Sequence, residues 1–174
     1  MQFNPEGRAT AIGSFPHHNP TEAVNEIINT IPEILTWPQL PNVSYKEQME
    51  IQFSEGMPCV KLDETKKSMY FEIGDDPSEK LGEFFENVVA DNTEFFRISQ
   101  EFSRGIYEME KKLDMIDTGN VEYFKSQVTG PVTYGLSRTD ENKRAVYYNE
   151  IFRDVIVKGL IMKARWILNK FNRF

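Results

Sequence analysis

The stretch that most constrains this chain lies near its start. Ala9, Thr10, Ala11 and Ile12 run into Gly13-Ser14, then Phe15-Pro16, then the two histidines His17 and His18, and Asn19-Pro20 follow at once. Strand-compatible residues are halted by a glycine, which can take a left-handed backbone or let a ligand approach the main chain. Asn19 is a good helix N-cap, and Pro20 suits the first helical position, where its missing N–H has no partner to lose. Beyond it Ala23, Val24, Ile27 and Ile28 recur at helical spacing on one face. A strand that turns sharply into a helix is where α/β proteins bind ligands, because amides and side chains converge at its carboxyl end.

The next segments continue the pattern. Pro32 closes the helix, residues 33–37 read as a second strand, and Pro38 and Pro41 force an extended exit. Strand, helix and strand within about thirty residues predict a βαβ unit and a parallel sheet. Ser44, followed three residues later by Glu47, predicts a capping box and a helix over 45–54 that Gly56 ends. Residues 57–62 and 68–73 predict a β-hairpin around the polar run 63–67. Asp76-Pro77-Ser78 opens a helix with Leu81, Phe84, Phe85, Val88 and Val89 on its buried side. Residues 95–99 read as a third strand, 101–115 as a helix, and 123–129 as a fourth strand turned by Gly130-Pro131. Thr139-Asp140 caps a long final helix to about Phe171, apolar on more than one side. The expected fold is α/β: about four βα units with an inserted hairpin and helix, in one domain over 1–174. A closed (β/α)₈ barrel takes eight units and about 250 residues, so this is half of one. Its open sheet edges need a cover.

Composition narrows the function classes. The 174 residues carry 27 acidic and 20 basic side chains, a net charge of −7, with no basic cluster interleaved with aromatics. That argues against nucleic acid or an anionic membrane surface as the partner. One cysteine, Cys59, excludes an internal disulfide and a cysteine-rich zinc site. The longest apolar run, 155–160, is far too short to span a bilayer, and no charged region followed by an apolar run opens the sequence. A cytoplasmic location is expected.

Two motifs carry a resemblance. Ile12-Gly13-Ser14-Phe15-Pro16 and Val128-Thr129-Gly130-Pro131-Val132-Thr133 resemble strand ends in the catalytic TIM barrel of cobalamin-independent methionine synthase, and in the wider superfamily of uroporphyrinogen decarboxylase and corrinoid-protein methyltransferases. Trp37-Pro38-Gln39-Leu40-Pro41 and Phe53-Ser54-Glu55-Gly56-Met57-Pro58 are similar to stretches in members of that group. The resemblance runs from about Thr10 to the last helix. It implies that Ile12, Gly13 and Ser14 hold an amino-acid thiol at the barrel mouth, with Thr129 and Thr133 lining it. The family's substrate-binding glutamate after the second strand has no counterpart; Gln39, near that place and without a charge, reads as a pocket hydrogen-bonder or a turn residue. Backbone amides and a hydroxyl at a strand end suit a carboxylate. It also implies methyl transfer to a thiol activated by zinc, through His and Cys ligands from the second half of the barrel; this chain has no such set. The expectation is therefore an N-terminal half, not active alone and with no cofactor of its own. It would take a small-molecule substrate only in a completed barrel.

Other readings stay open at this point. A decarboxylase would need arginines around a tetrapyrrole's carboxylates, and Arg8 and Arg138 are the ones near strand ends. A non-catalytic half-barrel could pair with a copy of itself or with a C-terminal partner chain. His17 and His18 are weak metal candidates or pocket-lining groups. Cys59 reads as a buried thiol. Asp63, Glu64, Asp75 and Asp76 read as turn and capping residues before proton-transfer groups. Trp37 and Tyr134 either stack on a ligand or close the core.

Overall fold

A computed structural model describes residues 4, 6–116 and 121–172. The fold is mixed α/β. In chain order it comprises α1 (Pro20–Thr30), β1 (Ile34–Thr36), β2 (Val60–Asp63), β3 (Ser68–Phe71), α2 (Ser78–Val89), α3 (Arg104–Leu113), β4 (Tyr123–Lys125), α4 (Pro131–Ser137) and α5 (Glu150–Phe171). As the sequence predicts, the Asn19 side chain caps α1, accepting from the Thr21 N–H at 2.9 Å. The apolar face Ala23, Val24 and Ile27 is buried. No helix among the described residues is long and apolar enough to cross a membrane.

Three stretches run parallel. β1 pairs with β4, Ile34 opposite Tyr123 and Thr36 opposite Lys125. Ser14 forms a parallel bridge to Gln39, with the Phe15 N–H donating to the Gln39 carbonyl at 2.9 Å. The hairpin also forms as expected, β2 antiparallel to β3 with Val60 opposite Phe71. The described strands close no barrel: they make two two-stranded sheets plus the isolated bridge.

The expected third strand at 95–99 does not form; Thr93–Phe96 is a 3₁₀ turn instead. A strand would send Phe95 and Phe96 to opposite faces. Here both pack into one aromatic cluster with Phe84, their rings 5.1 Å apart and Phe96 edge-on to Phe84 at 5.4 Å. The expected helix over 45–54 is likewise two 3₁₀ turns, Tyr45–Glu47 and Ile51–Phe53. Ser44 caps the first, accepting from the Lys46 N–H, but Glu47 does not complete a capping box. Its carboxylate is buried and accepts from the Leu40 N–H and from Arg104. Ile51, Gln52 and Phe53 are all fully buried, which no one-sided helical stripe provides. The final helix starts ten residues later than the Thr139-Asp140 signal indicates. Asn149 is its cap, accepting from Ile151 and Phe152. Asp140 instead folds a turn through the Asn142 and Arg144 N–H groups, and Thr139 accepts from Phe71, lengthening the hairpin sheet.

Leu35 and Trp37 join one continuous core with Ile106, Met109, Phe152, Ile156 and Trp166, and Phe124 stacks on Phe171 at 4.2 Å. Trp37 and Tyr134 are therefore core residues; the Tyr134 hydroxyl meets the Met69 sulfur at 3.6 Å. At Gly105, the second residue of α3, a Cβ would lie 1.9 Å from the Pro38 carbonyl oxygen. The strand exit thus rests directly on the helix backbone.

Candidate functional site at the parallel strand ends

Gly13 takes the left-handed backbone, φ +81°, with open space where a side chain would stand. The expected first strand at 10–12 does not form: the parallel pairing is confined to the Ser14–Gln39 bridge just after this turn, with Ser14 exposed and Ile12 79% exposed. Gln39, at the end of the second stretch, is buried against it and donates to Gln52 at 2.7 Å; Gln52 in turn donates to the Phe102 carbonyl. Both glutamines are thereby fixed to the protein itself.

The third stretch supplies two groups that the motif reading passes over. Lys125 and Gln127 are alternate residues of one extended segment, so their side chains project to the same face. Lys125 donates its ammonium to the Ala11 carbonyl at 2.7 Å, and Gln127 accepts the Gly13 N–H at 2.9 Å. The amide expected to meet a substrate carboxylate is therefore held by Gln127. Burial lowers the Lys125 ammonium from its ordinary value. The signal was present in the alternation Lys125, Gln127, Thr129 leading into Gly130-Pro131, since period-two spacing puts these on one face.

The remaining candidates lie as follows. Thr129 is buried and donates to the Met49 carbonyl at 3.1 Å, tying the strand end to the loop before Ile51. Thr133 is exposed in the first turn of α4. His17 Nε2 stands 2.8 Å from Glu26, and its ring lies 6.2 Å from Phe15; His18 is exposed. No group of three or more His, Cys, Asp or Glu among the described residues could hold a metal ion, so the residues present do not fit a zinc site. Cys59 is buried in the hairpin region, its thiol pushed up by burial. Asp63 accepts from Lys66 in the hairpin turn and Asp76 from Ser78 ahead of α2, which accounts for both acids structurally. Arg8 pairs with Glu122 and Arg138 with Glu50.

Beside the strand ends, Glu47 locks the scaffold. Burial pushes its carboxyl up, against the opposing pull of Arg104. Its two oxygens join the Leu40 N–H to the start of α3, so the exit of the second stretch and that helix share one anchor. Compared with models of protein families, with curated proteins and with solved structures, the chain matches none.

Proposed function

We propose that this chain contributes part of the substrate pocket of a (β/α)₈-type enzyme resembling methionine synthase, and that the pocket holds a small amino-acid thiol at the carboxyl ends of the parallel strands. One observation carries the reading. The Ser14–Gln39 bridge, the β1–β4 pairing and the Gln127–Gly13 hydrogen bond bring together the ends of three stretches that run the same way. In a (β/α)₈ barrel, the carboxyl ends of the strands are where substrates bind. Ser14 offers a hydroxyl, the Gly13 turn leaves room, and Ile12 provides an apolar wall beside them. Holding the substrate is the role this segment supplies; no step through a metal is assigned to it.

The test is a titration of the folded protein with L-homocysteine and with L-serine, followed by backbone amide shifts. L-homocysteine is expected to move the resonances of residues 12–15, and Ser14→Ala to weaken it about tenfold, the effect of one charge-assisted hydrogen bond. Equal response to L-serine, or none to either, would overturn the thiol reading. A tetrapyrrole decarboxylase receives less support, because Arg8 and Arg138 already hold carboxylates.

A non-catalytic role in self-association draws on a different feature. α5 exposes Ile161 and Leu168, one face seven residues apart, and Leu168 lines a cleft with Phe124 of β4. Solution mass decides it: a dimer that Leu168→Glu dissociates supports this role, and a monomer removes it.

A further inference from the structure

We infer that Lys125, Gln127 and the Ala11–Gly13 backbone form a carboxylate-binding subsite, in which a ligand carboxylate takes the Lys125 ammonium and the Gln127 side-chain N–H. The inference rests on the pocket reading above and specifies which end of the substrate is recognised and by what.

Three observations carry it. First, Lys125 is a partly buried cation whose hydrogen bond among the described residues goes to a neutral carbonyl, Ala11, at 2.7 Å. Four other cations with little exposed side chain hold carboxylates here, Arg8 with Glu122, Lys46 with Glu101, Arg138 with Glu50 and Lys170 with Glu110, whereas the fully buried Lys163 is met by two carbonyls. The chain has seven more acids than bases, yet among the described residues no carboxylate pairs with Lys125. A carbonyl offers a partial charge where an ammonium out of bulk water favours a full one.

Second, Gln127 is half used. Its Oε1 accepts from Gly13 at 2.9 Å, while its Nε2 is buried with no hydrogen-bond partner among the described residues. A buried donor left unpaired costs free energy that a ligand oxygen would recover. Thr36, in register with Lys125 on β1, carries a second such atom: its Oγ1 is also buried and unpartnered, and the residue is 1% exposed. Register places Thr36 and Lys125 on one face of the parallel pair.

Third, the space is available. A side chain at Gly13 would meet nothing within 4 Å, and the neighbouring Ile12 is exposed. The Lys125 and Gln127 side chains both reach the Ala11–Gly13 backbone, Lys125 at the Ala11 carbonyl and Gln127 at the Gly13 N–H, beside this open position. The chemical class that answers an ammonium plus a planar amide donor is a carboxylate.

The experiment compares three small probes on the folded protein by amide chemical shifts: propionate, 3-mercaptopropionate and cysteamine. Both carboxylates are expected to shift Gly13 and the Gln127 side-chain amide, and cysteamine, which lacks a carboxylate, to leave them unmoved. Lys125→Met and Gln127→Leu should each weaken 3-mercaptopropionate about tenfold or more, and Lys125→Arg should retain most of the binding. Should Lys125→Met fail to fold, Gln127→Leu against Lys125→Arg still decides. Binding of cysteamine at the same resonances, or carboxylate affinity unchanged in Gln127→Leu, would overturn the subsite. Equal affinity for propionate and 3-mercaptopropionate would leave the subsite standing and sink the thiol reading instead.

Discussion

Lys163 and Lys125 both give their ammonium to backbone carbonyls, and their surroundings differ. Lys163 of α5 is fully buried, and its ammonium donates to the carbonyls of Phe96, at 3.0 Å, and Arg97. It closes the end of a 3₁₀ turn within a sealed aromatic wedge of Phe84, Phe96, Val155 and Met162. Lys125 is only partly buried and reaches one carbonyl, that of Ala11, two residues before the Gly13 turn. In the first case the donor capacity of the ammonium is absorbed by the fold, and desolvation holds its titration down to about 7. In the second, the described residues answer the ammonium with the Ala11 carbonyl alone. A buried cation can thus serve as a structural pin or as one half of a recognition pair, and the number of protein acceptors around it tells which.

The largest expected effect tests the sealed side. Phe96→Ala removes a fully buried ring from the wedge and should destabilise the fold by about 3–5 kcal/mol in denaturant titration, with carboxylate probes still binding under native conditions. Lys163→Met follows. At pH 9 it should cost about 1–3 kcal/mol, because the Phe96 and Arg97 carbonyls lose their donor.

It should also change the pH dependence. Burial lowers the folded-state titration of Lys163 to about 7 from the ordinary 10.5. Below 7 both states carry the charge and the folded one bears its full desolvation cost. Between 7 and 10.5 the unfolded chain binds more protons, so stability attributable to this group rises with pH, by up to about 1.4 kcal/mol per unit. Subtracting the Lys163→Met profile from the parent profile isolates that slope; a flat difference would mean that Lys163 is not sealed and would erase the contrast with Lys125.

A smaller loss is expected on the open side. Gly13→Ala forces an alanine to φ +81°, with no steric neighbour, and should cost about 1–2 kcal/mol of conformational strain. Smallest of all is Lys125→Met, which should change stability by no more than about 1 kcal/mol while removing carboxylate binding. A loss as great as that of Lys163→Met would make Lys125 a second structural pin.

The elements that could be read from the sequence are those whose signal is local. Asn19-Pro20 and the apolar face of α1, the hairpin flanking 63–67, and the parallel relation of the first two stretches all follow from short-range chemistry. Residues 95–99 misled because two adjacent phenylalanines look like strand propensity, whereas their common destination, under α5, is set by a lysine about 65 positions away. Glu47 misled in the same way: its spacing from Ser44 fits a cap, but its partner Arg104 lies on another helix. At the parallel strand ends, the left-handed turn at Gly13 and the extended exit at Gln39 follow from the glycine and the flanking prolines. For Lys125 and Gln127 the alternation marks only a shared face; the donor that Gln127 leaves unused is a property of the assembled structure.

The contact between Gly105 and Pro38 has a consequence for how this sequence can drift. A 1.9 Å approach leaves no room for any side chain at 105, whereas a Cβ at Gly82 on α2 meets nothing. In a library of single substitutions selected only for folded protein, position 105 should therefore be nearly monomorphic and position 82 freely variable. The strand end that carries Gln39 would then be inherited as a fixed block with α3, while the surface of α2 records little but time.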